Sequence, residues 1–293
     1  MNAVKKGKIR KAADFLQELS KKFRFRLRTY RPHVKISLDS RKYLVKTVEN
    51  GDELSDVLRL RHEVFYRELL DKKRFRGKDI DKYDFLFDHL AVIDKEAGQV
   101  IGTYRLNSSL FSDKFYSCSE FKMESIVSLP GVKLELGRAC IHPDYRSGAT
   151  IAALWKGLGT YITETATDCL FGCSSVKTTD NLTIALVHYY LNKNFLAPEE
   201  FRAAPKSKFR TDRYHKMLEM IQEKRFAPFR EAAENLVPPL MLSYFKAGGV
   251  ICGEPAYDKT FKCYDYLTYL DVRSMDESFR KKFTEKKHEE VCC

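Results

Sequence analysis

A chain of 293 residues, 44% of them hydrophobic, can bury one large core or two modest ones. Its net charge of +12 sits entirely in residues 1–46, where 15 Lys/Arg face 3 Asp/Glu, and a neutral body of this kind lacks the basic stripe that a nucleic-acid-binding domain needs. No apolar run approaches the ~18–20 residues of a membrane-spanning helix, and the basic N-terminus is not followed by the apolar region of a secretory signal.

From Ile9 to Tyr30 the apolar residues Ile9, Ala12, Ala13, Leu16, Leu19, Phe23, Leu27 and Tyr30 fall on one helical face. Lys21, Lys22, Arg24, Arg26 and Arg28 fill much of the rest. Residues 1–40 therefore read as a basic amphipathic arm. It suits an anionic membrane surface, an acidic protein partner, or simple packing on the body with the basic face in water.

Arg41 to Val48 reads as a first strand, followed by Asn50-Gly51-Asp52 as turn and helix cap. The next helix places Leu54, Val57, Leu58, Arg61 and Phe65 in one stripe. An unpaired buried charge is costly, so Arg61 should face a carboxylate or a substrate unless it snorkels to the surface. Residues 71–88 are charged, aromatic and irregular. Their Asp81, Asp84 and Asp88 are candidate partners for Arg61 or for a cationic substrate, with a solvated loop as the plainer alternative. Strands are expected over 89–94 and 100–106, joined by a hairpin loop, with Arg105 ending the second beside the sheet centre.

A short helix is expected within residues 110–130, before the stretch that organises the chain, Leu134 to Thr165. Leu134 and Leu136 have one parity and Ala139 and Ile141 the other, so a regular strand cannot place all four on one face. One extra residue at Gly137-Arg138, a β-bulge, restores a single apolar face and brings Glu135 and Arg138 together on the other. Ile151, Leu154, Trp155, Leu158 and Ile162 then form a helical stripe. The turn before it carries Arg146, Ser147, Gly148 and Ala149, a strand-turn-helix start able to cradle phosphate or merely to pack.

Residues 169–176 read as a buried strand, and Asp180 or Asn181 caps a helix through Asn192. Further helices are expected over 214–224 and 239–246, with the last strands between 250 and 272. The eight Cys show no CxxC or zinc spacing, so no metal and a reducing cytoplasm are expected; Cys140 reads as a core residue. The element order implies a single α/β domain over 41–293 with a mixed sheet and a C-terminal extension of helices and strands.

The segments RLRHEVFYREL, FDHLAVID, GTYRL, LELGRACIHPDYR, LWKGLGTYI, CLFGCSSV and GEPAYDKTF, in that order, resemble the acyl-carrier-protein-dependent branch of the GNAT N-acyltransferases. Between about 41 and 272 the chain looks like the ornithine N-acyltransferases of ornithine-lipid synthesis, often called hemolysin-like. The more distant acyl-homoserine-lactone synthases share an Arg and Phe four apart (Arg61, Phe65), paired aspartates (Asp81, Asp84), an Arg on a strand (Arg105) and a Glu and Arg three apart (Glu135, Arg138). The resemblance implies a mainly antiparallel GNAT sheet with a splayed, bulged central strand.

It implies transfer of a 3-hydroxyacyl group from the phosphopantetheine of acyl carrier protein to the α-amine of ornithine, with no bound cofactor. In that role Glu135 is the expected base and backbone N–H groups near the bulge the oxyanion donors. Arg138 and Arg105 would hold the pantetheine arm, the acceptor carboxylate or an ion network, and Asp81 and Asp84 the second amine of ornithine. Phe65, Arg146 and Trp155 are expected at the substrate. The turn Arg146-Ser147-Gly148-Ala149-Thr150-Ile151 departs from the R/Q-x-x-G-x-G/A pyrophosphate cradle of coenzyme-A-dependent relatives, which favours the carrier-protein donor. A cytoplasmic enzyme, peripheral on the inner face of the membrane through residues 9–30, is the expected setting. An N-acyltransferase for another amino acid, a homoserine-lactone synthase and a non-catalytic membrane- or carrier-binding module are the alternatives.

Overall fold

Tyr43, Val45 and Thr47 are buried while the intervening Leu44 and Lys46 are only partly covered, the alternation of a strand with one face in the core. The structure, a computed structural model, describes residues 21–71, 77–222 and 230–283. Its strands are β1 (Ser37–Asp39), β2 (Tyr43–Thr47), β3 (Asp88–Asp94), β4 (Gln99–Ser108), β5 (Phe121–Lys122), β6 (Lys133–Ile141), β7 (Cys169–Val176), β8 (Ala204–Pro205), β9 (Val250–Ile251), β10 (Ala256–Asp258) and β11 (Cys263–Asp271). The main sheet runs β1-β2-β3-β4-β6-β7-β11-β10, with β9 also on β11, while β5 and β8 pair separately. All pairings are antiparallel except β6 with β7. This is the expected mixed α/β, GNAT-type sheet.

Helices cover both faces. α1 (Gly51–His62) is capped by Asn50, whose side chain accepts from the Asp52 and Glu53 N–H groups, and it runs into a π-helical turn, Glu63–Glu68. α2 (Gly148–Glu164) starts at Ser147, which caps the Thr150 N–H. Leu154, Trp155, Leu158, Tyr161 and Ile162 of α2 enter one core with Val45, Leu90, Val92, Tyr104 and Leu134. On the opposite face α1 packs Leu54, Val57 and Leu58 with Ala91, and Leu60 and Val64 meet Cys140. α3 (Asn181–Phe195) and α4 (Pro239–Lys246) build a further core with Tyr264 and Tyr266 of β11. Among the described residues no helix is long and apolar enough to cross a membrane.

The helix expected within 110–130 is mostly something else: a 3-10 turn Ser117–Ser119, the strand β5 and a single turn Glu124–Val127. Pairing of Phe121 with Pro205, and burial of Phe121, Met123 and Ile126 against Phe171, override local helical periodicity. A helix at Arg230–Asn235 was not anticipated. Residues 9–20 of the arm and residues 223–224 of an expected helix lie outside the described residues.

Over residues 21–29 the arm is helical. Phe23 meets Phe85 edge-on at 5.9 Å, Leu27 packs on the α1 core, and the buried Tyr30 hydroxyl donates to the Phe87 carbonyl at 3.2 Å. The apolar stripe from Phe23 onward is thus spent on the body, with Lys21, Lys22, Arg24, Arg26 and Arg28 exposed.

One break in the sheet positions the site. β6 and β7 pair only where Lys133, Leu134 and Glu135 lie opposite Cys169, Leu170 and Phe171. Beyond that point β6 keeps β4 and β7 keeps β11, so the two strands part. A Cβ at Gly172 would collide with the Leu136 carbonyl oxygen, so glycine is needed where the strands last touch.

Candidate active site

The parity change in β6 is resolved by a bulge. Thr103 pairs with Cys140 and Arg105 with Gly137, so Arg138 and Ala139 together oppose Tyr104. The extra residue lies at Arg138-Ala139, one position beyond the expected place, and Arg138 takes φ +50°. Leu134, Leu136, Ala139 and Ile141 accordingly all join the α2-side core. Glu135 and Arg138 line a small chamber of about 40 Å³ together with Arg105, Tyr116 and Cys173.

Arg61, Arg105 and Arg138 meet three aspartates. Arg61 donates to Asp79 Oδ2 from Nε at 2.8 Å and Nη2 at 2.6 Å, and from Nη1 to Asp84 Oδ1 at 2.6 Å. Arg105 Nη1 donates to both Asp81 oxygens at 2.8 Å and to Asp84 Oδ1 at 2.9 Å. Arg138 reaches Asp81 at 3.3 Å and Asp79 at 3.4 Å. Burial opposes ionisation of Asp84, but the Arg61 and Arg105 guanidiniums override it and hold the carboxyl well below the usual range. The same contest, won by Arg61 and Arg138, lowers Asp79. Three positive and three negative groups therefore balance. Arg61 and Asp84 are fully buried, whereas Asp81 retains partial exposure.

Glu135 stands apart from this network. Its two oxygens accept the Tyr116 N–H at 2.7 Å and the Ser117 N–H at 2.6 Å. Burial outweighs those bonds and raises its pKa above the ordinary carboxylate value. Close by is a second set of acids that the sequence did not reveal. Carboxylate oxygens of Glu120, Asp258 and Asp265 lie within 4.8 Å of one another, all three residues buried. Burial, then the Asp265 charge, pushes Glu120 up to about 8, and burial pushes Asp265 up to about 6.

The main cavity, about 530 Å³, fills the fork between β6 and β7. Leu136–Ile141 and Leu170–Ser175 form its two sides, with Ile151, Leu154 and Trp155 of α2 and Tyr244 of α4 closing it. Its volume and mostly apolar wall match a site for a small molecule or an acyl chain. Phe65, Arg146 and Trp155 all line it, as do Arg138 and one carboxylate, Asp265. Arg146 is held by Glu68 through two bonds of 2.6 Å. Arg61, Asp81, Asp84 and Arg105 do not line this cavity; Arg105 reaches only the small chamber. Cys140 is buried and its thiol is pushed up to about 12 by that burial, as expected of a core cysteine.

Asp79 escaped notice because nothing in an irregular charged segment singles it out from Asp81 and Asp84. Asp265 did carry a signal, since it is a charge within an apolar strand, CYDYLTYLD. Glu120 carried none.

A family model for the acetyltransferase (GNAT) domain matches residues 60–156. The L-ornithine N(alpha)-acyltransferase of Rhodobacter capsulatus is 30% identical over 260 residues, covering 83% of this chain and 95% of that protein. The enzyme of the same name from Agrobacterium fabrum is 31% identical over 248 residues, covering 78% of this chain and 81% of its own. Among solved structures, the AHL synthase LasI is similar over 84% of this chain and 98% of that one, at a TM-score of 0.47 and 12% identity. With such identity sustained over nearly the whole of a curated relative, and the GNAT match spanning β4, β6 and the start of α2, the chain belongs to the L-ornithine N(alpha)-acyltransferase family.

Proposed function

We propose that the chain transfers a 3-hydroxyacyl group from the phosphopantetheine of acyl carrier protein to the α-amine of ornithine, forming a lyso-ornithine lipid. The observation that carries this is the apolar cavity at the β6–β7 fork, in a chain whose relatives are named for acyl transfer to the α-amine of ornithine. The acyl chain lies along Leu136, Ile151, Leu154 and Trp155. The thioester carbonyl sits at the bulge, where β6 keeps β4 but has parted from β7, so that an N–H directed into the fork can serve an oxyanion. The donor's phosphate takes the Arg146 guanidinium and the start of α2, displacing Glu68.

Ornithine arrives with both amines protonated. Glu135, which the Tyr116 and Ser117 N–H groups keep from direct contact, receives the α-amine proton through water in the small chamber. The amine nitrogen then attacks the carbonyl carbon and the C–S bond breaks. The departing thiolate takes the nitrogen's second proton as the amide forms. The side-chain ammonium is matched to Asp265, the carboxylate of the main cavity, because Asp84 is buried and Asp81 and Asp84 already neutralise arginines.

The exposed basic face of the arm, with six Lys/Arg and no acid over residues 21–31, suits an anionic membrane that would receive the lipid product. Charge reversal at Arg24 and Arg28 should lower binding to anionic vesicles and leave kcat with soluble substrates unchanged. If vesicle binding is unaltered, the arm has no such role.

Kinetics of the purified chain test the donor and acceptor. Acyl carrier protein should exceed the same acyl group on coenzyme A in kcat/KM, and ornithine should exceed glycine and tyrosine. Equal donors would remove the carrier protein, and preference for a neutral side chain would remove ornithine.

A further inference from the structure

The hairpin joining β10 to β11 carries Phe261, fixed by both its backbone groups. Its N–H donates to Asp258 Oδ1 at 3.1 Å, and its carbonyl accepts from Lys177 Nζ at 2.6 Å. The ring lies 5.2 Å from the Arg138 guanidinium, whose other neighbour is the Tyr116 ring at 5.3 Å. Tyr116 in turn lies 5.6 Å from the Arg105 guanidinium. Phe261 also meets Tyr66 at 5.7 Å and Phe65 at 6.3 Å, both from the π-helical turn, and Tyr66 stacks on His62. Cations and rings thus alternate from Arg105 to Phe261. π-Helical turns often mark functional sites, and this one seats the aromatic pair behind Phe261.

Hydrogen bonds hold Arg138 less firmly than its neighbours. Arg61 and Arg105 each make three bonds of 2.6–2.9 Å, whereas the Arg138 contacts are 3.3 and 3.4 Å and its buried Nε, the atom 3.4 Å from Asp79, makes no hydrogen bond among the described residues. Its backbone occupies the left-handed region, so the main chain alone does not favour this arrangement. Two ring faces supply what the hydrogen bonds do not.

We infer that Phe261 is a positioning residue, holding the Arg138 guanidinium at the wall between the main cavity and the small chamber, both of which Arg138 lines. This rests on Arg138 taking part in acyl transfer. Leucine keeps much of the volume of phenylalanine without a ring face. Phe261→Leu should therefore lower kcat/KM roughly tenfold, the scale of a partly desolvated cation–ring contact. Phe261→Tyr should rescue it to within about twofold, with both melting temperatures near that of the parent. In an Arg138→Ala background Phe261→Leu should cost nothing further. If Phe261→Leu does not fold, Phe261→Met against Phe261→Trp repeats the comparison.

Wild-type activity of the leucine variant, equal losses in the leucine and tyrosine variants, or an undiminished leucine effect without Arg138 would each overturn the inference. Full activity of Arg138→Ala alone would instead remove the role of Arg138 on which it rests.

Discussion

Glu135 and Arg138 both border one small chamber beside β6, yet their charges are balanced separately. The Glu135 carboxylate takes two backbone N–H groups at 2.7 and 2.6 Å, while the Arg138 guanidinium faces Asp81 and Asp79 at 3.3 and 3.4 Å. Burial outweighs these N–H bonds and the lesser pull of Arg105 and keeps the Glu135 pKa raised, which suits a proton acceptor.

Glu135→Gln should lower kcat by about 10²–10⁴, the usual contribution of a positioned base. Because burial raises the Glu135 pKa, the parent's rate should climb with pH through a value above that of an ordinary glutamate, and the variant should lose that limb. A melting curve must accompany the assay. A variant that melts early but keeps kcat per folded molecule would make Glu135 a structural residue only.

Arg61 and Asp84 are both fully buried, so removing either leaves the network of three arginines and three aspartates with one uncompensated buried charge. Arg61→Met or Asp84→Asn should cost about 3–5 kcal/mol in denaturant unfolding. A loss under ~1 kcal/mol would contradict a buried ion network, because exposed pairs contribute only that much.

Glu120, pushed up to about 8, retains its proton in the folded chain at a pH where the unfolded chain has released it. The folded state then binds more protons, so stability falls as pH rises from the ordinary glutamate range to about 8. Glu120→Gln should flatten that decline and melt higher than the parent at alkaline pH. Parallel melting curves for the two across this range would show that Glu120 is ionised normally.

Asp265→Asn should lower kcat/KM for ornithine by about 10- to 100-fold, the scale of a lost charged hydrogen bond. The isosteric acceptor with a methyl in place of the second amine, 2-aminohexanoic acid, should lose far less. Equal losses for the two acceptors would place the side-chain ammonium elsewhere.

Much of this was legible in residue order. The switch of parity between Leu136 and Ala139 required a bulge, and an arginine in the apolar stripe of α1 required a carboxylate; both were found. The choice among Asp79, Asp81 and Asp84 was not legible, because it depends on how an irregular segment folds back over α1. Glu120, in the turn before β5, and Asp265, on β11, converge from far apart in the chain, and linear spacing holds no trace of that meeting. The Asp265 charge within an apolar strand is a signal of the same kind as Arg61 within the apolar stripe of α1. Phe261 gains its ring contacts from the hairpin's approach to the π-helical turn, which no local pattern announces.

The most direct measurement incubates the purified chain with 3-hydroxyacyl-acyl carrier protein and ornithine, then identifies the product by tandem mass spectrometry. The expected product is ornithine acylated on its α-amine, with one free carrier-protein thiol released per amide formed. Acylation of the side-chain amine, or thiol release without an ornithine amide, would contradict the proposed transfer.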